Sequence, residues 1–485
     1  MRSMLMVLVI FLLGANLFAQ APDFLWGKEY GDKPAWDGYD QLYGATPTSD
    51  GGFALNGNSS TWGDTVKSDQ WVIKINSDGD TLWTRTFGDF GRTDYGRDII
   101  ETYDSGLVIC GHGRIATTSE DYRIRLFKTD SLGNQIWEKD FVAANGFNTE
   151  QIIETSDSGF AIVGWTDDKD VFLFRADSLG DSVWTQTYGG ASHDIGYGVC
   201  QTSDDGFMIV GSTESYGSGS YDFYIIRTNS IGDTIWTAIL GTEGYESGQA
   251  IAKTHDGHYL IAGSIVNTNT DIYLLKMREI KFIDWQKTVG QADANDSPHG
   301  ITLTADNGFL IAGSHYSVTN SENDMYLLKI DSDGNSLWSY THEDDFTHDE
   351  GRIAHQTADS DIFLFGTKAV SSSGSYRDYW ALKFDAPMDS RVDISETKPH
   401  SFRLSQNHPN PFNPITEIEF DLPRTTNWTL TIFNIIGQRV ESFTGHDAAG
   451  LVNISWDASD FTSGIYFYRL ETDEFTNTKK MVLLK

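Results

Sequence analysis

Six carboxylates recur at one place in a repeated pattern. Asp40, Asp94, Asp194, Glu246, Asp296 and Asp349 each stand eight residues before a threonine, and Phe147 takes the position once. Hard oxygen ligands of this kind suit a cation such as Ca²⁺. The same carboxyl groups suit a second use, accepting backbone N–H groups of the turns they follow. Recurrence favours the turn use, because the ligands of one ion need not repeat. His193, His299, His342 and His348 fall in or near the same segments, with His348 beside Asp349 and Glu350. Catalysis would need converging partners, and there is no nucleophile motif, zinc spacing or paired-carboxylate motif, so these read as solvated loop histidines. Cys110 and Cys200 are the only cysteines, each inside a strand-like run, and read as small buried residues. The Asn76–Asp80 and Asp331–Asn335 turns are rich in oxygen ligands. Their glycine comes too early for an EF-hand and no Glu closes the loop, so they read as hairpin turns.

A second candidate set is aromatic. Trp62, Trp165, Tyr216, Tyr221, Tyr316 and Tyr376 lie in long, dissimilar segments between repeated strands. Irregular loops on a rigid scaffold are where recognition usually sits, and exposed rings there can stack on sugars or contact protein. Packing the loop down is the plainer use of the same rings.

These residues are positioned by seven repeats. A Gly-bearing turn, an apolar run and a closing glycine recur, the glycines being Gly57, Gly111, Gly164, Gly211, Gly263, Gly313 and Gly366, spaced 47 to 54 residues apart. Each repeat adds an acid-led strand ending near a cation, and six then add a tryptophan: Trp83, Trp137, Trp184, Trp236, Trp285 and Trp338. Short β-branched and aromatic runs cut by turns every eight to twelve residues are strand chemistry. Four strands per period predict an all-β seven-bladed propeller over residues 22–385. The seventh repeat lacks its fourth strand, whereas Phe24-Leu25-Trp26-Gly27 near the N-terminus reads like one. The first strand is therefore expected to complete the last blade and abolish the open edge. In that assignment strand one is innermost, and the six carboxylates should ring one mouth of the central channel. The strand-three acids (Asp69, Asp121, Asp170, Asp222, Asp271, Asp324, Asp378) and cations (Lys74, Lys128, Arg175, Arg227, Lys276, Lys329, Lys383) read as structural, the cations pairing with carboxylates of the same or adjoining blade. The tryptophan resembles the docking tryptophan of quinoprotein propellers, with a glycine four residues before it, as in Gly79 to Trp83. The resemblance covers that turn only and implies blade-on-blade packing. Trp285 lacks its glycine, which implies a different turn in blade five.

The ends of the chain say where it goes. Arg2, the apolar run Met4–Leu13 and small residues around Ala19 match a secretory signal over residues 1–19, too short to span a bilayer. The mature chain is expected to have no transmembrane segment. A net charge of −34 repels nucleic acid, which is not an expected partner. Residues 386–400 read as a polar linker. Beyond them come Asn407-His408-Pro409-Asn410-Pro411-Phe412, Gly437, Gly464-Ile465-Tyr466 and Lys479-Lys480-Met481. In that order and at the chain end, these motifs resemble the type A sorting domain of the type IX secretion system, over residues 402–485. The resemblance implies a small Ig-like β-sandwich (401–485), an encounter with the type IX secretion machinery, and an extracellular or cell-surface destination. On these grounds the expected function is non-enzymatic: adhesion, or binding of an unidentified glycan or protein, with no cofactor beyond a Ca²⁺ ion. The alternatives are an exported hydrolase, lyase or quinoprotein-like enzyme acting at the channel mouth, and a passive surface component.

Overall fold

The structure, a computed structural model, describes all residues except 1–20, 32–38, 61–66, 115–121, 143–145, 267, 291–293, 318–321, 343–347, 371–375, 386–401, 405–406, 408–409, 423, 448–449 and 473–474. The proposed signal and linker lie outside the described residues. Every regular element among those described is a β-strand, and the chain divides into two compact units between Ser390 and Arg391. No helix among the described residues is long and apolar enough to cross a membrane.

The first unit is a ring of seven four-stranded antiparallel sheets, six of them built from consecutive strands. Asp40–Pro47, Phe53–Ser59, Asp69–Ile75 and Thr81–Phe87 make the first blade. The seventh joins Glu350–Gln356, Ile362–Ala369 and Arg377–Asp385 to the N-terminal strand Asp23–Tyr30. Trp26 pairs with Lys383 and Glu29 with Trp380, as the displaced fourth strand required. The closed ring is also visible in its core. Phe53 of blade one packs on Phe363 of blade seven with centroids 4.6 Å apart, and Tyr379 donates a hydrogen bond to the Trp71 carbonyl at 3.0 Å. Closure leaves each apolar sheet face covered by a neighbour, so both faces of the middle strands are buried, as in Phe53–Ser59 and Asp69–Ile75.

One repeated contact fixes the spacing of the blades, and a second braces each blade from within. The fourth-strand tryptophan of one blade lies against the turn glycine of the next. Gly79 has φ +78°, and a Cβ there would run into the Trp26 ring. Blade five has no such glycine; Lys281 turns the chain at φ 63° and Trp236 Nε1 donates to the Glu279 carbonyl at 3.0 Å. All seven strand-three cations pair with an aspartate in the turn between strands one and two of their own blade, for example Lys74–Asp50 at 2.8 Å, Arg227–Asp204 at 2.6 Å and Lys383–Asp361 at 3.0 Å.

The second unit is a two-sheet sandwich. Arg403–Leu404, Ile415–Leu422 and Gly450–Asp457 form one sheet; Arg439–Asp447, Thr426–Asn434, Gly464–Thr472 and Thr476–Leu483 form the other. Trp456, Phe420, Tyr468 and Leu470 fill the space between them. The motif residues have structural jobs here. Phe412 is buried against Trp456 and bonds through its backbone to Val482 and Leu484. Asn410 Oδ1 accepts from Val482 N at 2.8 Å, with Pro411 following it. Tyr466 donates to the Thr462 carbonyl at 2.8 Å, and Gly437 turns a hairpin at φ +80°. Lys479 and Lys480 pair with Tyr468 and Phe467 across the last two strands, with Gly464 at the far end of the ladder. Pro409 lies outside the described residues.

Candidate functional site

Every innermost strand carries a β-bulge at the same register. The pairing with strand two slips at Tyr43, Arg97 and Glu150 in the first three blades, at Tyr197, Gln249 and His299 in the next three, and at Arg352 in the last. The residue at the slip is unpaired, and a bulge re-aims its side chain. The cause is in the sequence. The closing glycine of each repeat faces the residue before the bulge, Gly57 opposite Leu42 being the first case. There a Cβ would overlap the Gln41 carbonyl, and the other six glycines meet a strand-one carbonyl in the same way. Only glycine lets the two backbones approach this closely.

The seven bulged residues meet around one cavity of about 740 Å³, lined by strand one of every blade. That volume is in the range of small-ligand sites. The lining runs from the bulges toward the ends of the innermost strands, Thr46, Ile100, Ile153, Leu303 and His355. Two guanidiniums dominate it. Arg97 and Arg352, one from each blade flanking blade one, lie over the Tyr43 ring with Cζ 4.4 and 5.0 Å from its centroid. Arg352 pairs with Glu350, which also meets Arg377 at 3.3 Å. Arg97 has Glu150 at 3.9 Å and makes no hydrogen bond to a described residue. Burial raises the Glu150 carboxyl, against the pull of Arg97 and Arg352. Asp98, beside the bulge, is pushed up to about 7 by burial although the Ile152 and Ile99 amides donate to it at 3.1 and 2.9 Å. His299 falls to about 4 through burial and then the Arg352 charge; neutral, it donates Nδ1–H to the Gly351 carbonyl at 2.8 Å. His355 falls to about 4 by burial and donates Nε2–H to the Ala45 carbonyl at 2.9 Å. Neither imidazole bonds a hydroxyl or thiol among the described residues, so the wall offers charge, rings and amide groups but no assembled nucleophile and base.

The structure corrects the carboxylate ring. Asp40, Asp94, Asp194, Glu246, Asp296 and Asp349 are at most 2% exposed and do not line the cavity. They serve their own surroundings. Asp94 accepts from Asp89 N at 2.8 Å and pairs with Arg125 at 2.8 Å. Asp194 accepts from Gly190 N at 2.8 Å and Ser215 Oγ at 2.7 Å, and Glu246 from Thr242 N at 2.9 Å. His315 Nδ1 lies 2.6 Å from Asp296, and Ala369 N donates to Asp349 at 2.7 Å. The reason is position: these residues open strand one, where the turn from the previous blade covers them. No three His, Cys, Asp or Glu side chains among the described residues are grouped so as to hold a metal ion.

The loop aromatics do not converge either. Trp165, Tyr221, Tyr316 and Tyr376 are partly buried in separate blades; Tyr221 packs on Tyr245 at 5.6 Å. Tyr216 borders a groove of its own with Tyr188 and Tyr224, and donates to the Gly189 carbonyl at 2.6 Å. Trp62 lies outside the described residues. Of the four histidines read as solvated, His299 is a cavity residue, and His342 packs edge-on against Trp380 at 4.5 Å. Burial raises both thiols, that of Cys200 to about 12, which leaves them unreactive. The cavity residues were open to discovery from the closing glycines, whose partners across the ladder point to the bulges.

Comparison with known families identifies the C-terminal segment. The family described as secretion system C-terminal sorting domain matches residues 407–484. The chain thus carries the label that sends proteins through the type IX secretion machinery to the cell surface or extracellular space. No curated protein matches the chain. Among solved structures it is similar to the BP39L lectin from Burkholderia pseudomallei (8% identity, 71% of this chain and 97% of that one, TM-score 0.48). It is also similar to puromycin hydrolase (10%, 79% and 58%, 0.46). A third is the β-propeller domain of the Trilobed protease from Pyrococcus furiosus (10%, 73% and 99%, 0.42). Likenesses so distant say nothing of ligand or activity.

Proposed function

We propose that this exported propeller works outside the cell as a binding module, in adhesion or in capture of a glycan or protein, and that the cavity among the bulged residues receives the ligand. One observation carries the reading. Seven geometrically equivalent bulges deliver unlike side chains, Tyr, Arg, Glu, Gln and His, into a single space. Positions that serve folding repeat their residue, as the closing glycines do; positions that serve recognition diverge on a constant frame.

The test is a glycan array together with a whole-cell binding assay, using the secreted protein and a Tyr197→Ala, Gln249→Ala double variant. Saturable binding that drops at least tenfold in the variant supports the cavity. Binding indifferent to the variant moves recognition to the outer loops. A second reading, an exported hydrolase or lyase, draws on Asp98, whose carboxyl near 7 is poised to exchange a proton. Turnover of a polysaccharide that is abolished in Asp98→Ala would favour it. Neither binding nor turnover would leave a passive surface component.

A further inference from the structure

We infer that the Arg97–Tyr43–Arg352 cluster recognises an anionic group, a carboxylate or a sulfate, on the ligand of the cavity, an inference that rests on the cavity being the binding site. A guanidinium presents five N–H donors in a planar fork. The Arg97 side chain is only 19% exposed, yet none of its donors reaches an acceptor on a described residue, and Nε is fully covered without a partner. The terminal Nη donors are not among the covered atoms, so they stay open to an acceptor brought in from outside. Glu150 is not that acceptor. At 3.9 Å it lies beyond hydrogen-bond reach, and burial works against its charged form.

Geometry prepares the fork. Contact with the Tyr43 ring, 4.4 Å from its centroid to Cζ, holds the Arg97 guanidinium at the cavity wall. Arg352 adds a second guanidinium over the same ring from the other neighbouring blade, also with an unpartnered Nε. Bidentate pairing with a planar carboxylate, or with two oxygens of a sulfate, uses this arrangement directly. The placement also runs against the bulk charge. In a chain of net charge −34, two arginines from separate repeats meet in the one central cavity. His299 beside them stays neutral and adds no charge; with Nδ1–H given to the Gly351 carbonyl, its Nε2 is the acceptor for a ligand hydroxyl.

Calorimetry on the full secreted protein tests the inference with three probes: glucuronate, galactose 6-sulfate and neutral galactose. At least one charged sugar is expected to bind ten-fold or more tightly than galactose, and which one identifies the group. Arg97→Gln should lose that preference at least ten-fold, and Arg97→Lys should keep part of it. Glu150→Gln, which removes a carboxyl that would repel the incoming anion, should strengthen charged-sugar binding; it keeps the inference testable if Arg97→Gln does not fold. Equal affinity for charged and neutral sugars, or an Arg97→Gln variant that binds like the wild type, overturns the anion site. Charged-ligand binding that is lost in the Tyr197→Ala, Gln249→Ala variant but unchanged by Arg97→Gln sinks the anion site while leaving the cavity reading intact. No binding of any array or calorimetric probe sinks both.

Discussion

Gly211 faces the carbonyl of Ile195 so closely that a Cβ on it would overlap the oxygen. The closeness follows from the extra residue in the facing strand, since the register slips between Gly196 and Gly198 and leaves Tyr197 unpaired. Gly211→Ala must push the strands apart or flatten the bulge. The expected cost is about 3 kcal/mol, from backbone overlap in a packed sheet. Urea unfolding should read that loss. The control Met208→Leu, a volume-conserving change in the same strand, should cost under about 1.5 kcal/mol.

That relationship also marks where the sequence was legible. The glycines, the tryptophans and the displaced first strand are repeated, and repetition exposes blades and closure. Strand one alone hides the bulge, because a period-2 pattern with one extra residue still reads as a strand; its only mark is the glycine across the ladder. Arg97 and His299 therefore looked like ordinary strand or loop positions. The six carboxylates misled for the opposite reason: they repeat as buried acceptors, Asp94, Asp194 and Glu246 for the turn they follow and Asp296 and Asp349 for strand two of their own blade.

Asp170 and Asp194 come from neighbouring blades and converge at Gly189, where a Cβ would meet both carboxyl groups. Burial, then the Asp194 charge, raises the Asp170 pKa. A raised folded pKa contributes stability that is present below the unfolded value and lost as pH rises through the folded one. Asp170→Asn should therefore raise the melting temperature at pH 7.5, with the gain shrinking toward zero by pH 4. Melts in chelator-containing buffer at both values check this; a variant less stable at pH 7.5 contradicts it.

The ring is held shut by Trp26, which lies against the Gly79 turn of blade one while its strand pairs with blade seven. Trp26→Ala should cost about 2 kcal/mol, less than full burial would imply because the ring is partly exposed. Limited proteolysis should then cut first within residues 21–31, ahead of any cut in blades two to six.

Export depends on the second unit. Removing residues 402–485 deletes the matched sorting segment and leaves the propeller strands whole. The truncated protein should accumulate inside the outer membrane and be absent from the medium and the cell surface. Fractionation with an antibody against the propeller reads the outcome, and normal secretion of the truncated chain would refute the role of the label.

Asp98 sets the charge of the cavity near neutrality. Burial holds its carboxyl near 7, and the Glu150 charge adds to the rise while the Ile152 and Ile99 amides oppose it. In the unfolded chain an aspartate titrates near 3.9. Between these values the folded state holds a proton that the unfolded state has released, so stability falls as pH rises from about 4 to about 7 and then levels. Asp98→Asn removes that slope. Relative to its effect at pH 4, it should stabilise the propeller by about 4 kcal/mol at pH 8, a difference that denaturant melts across the range resolve. An unchanged slope would mean that Asp98 is ionised in the fold, with the cavity one charge more negative than its burial dictates.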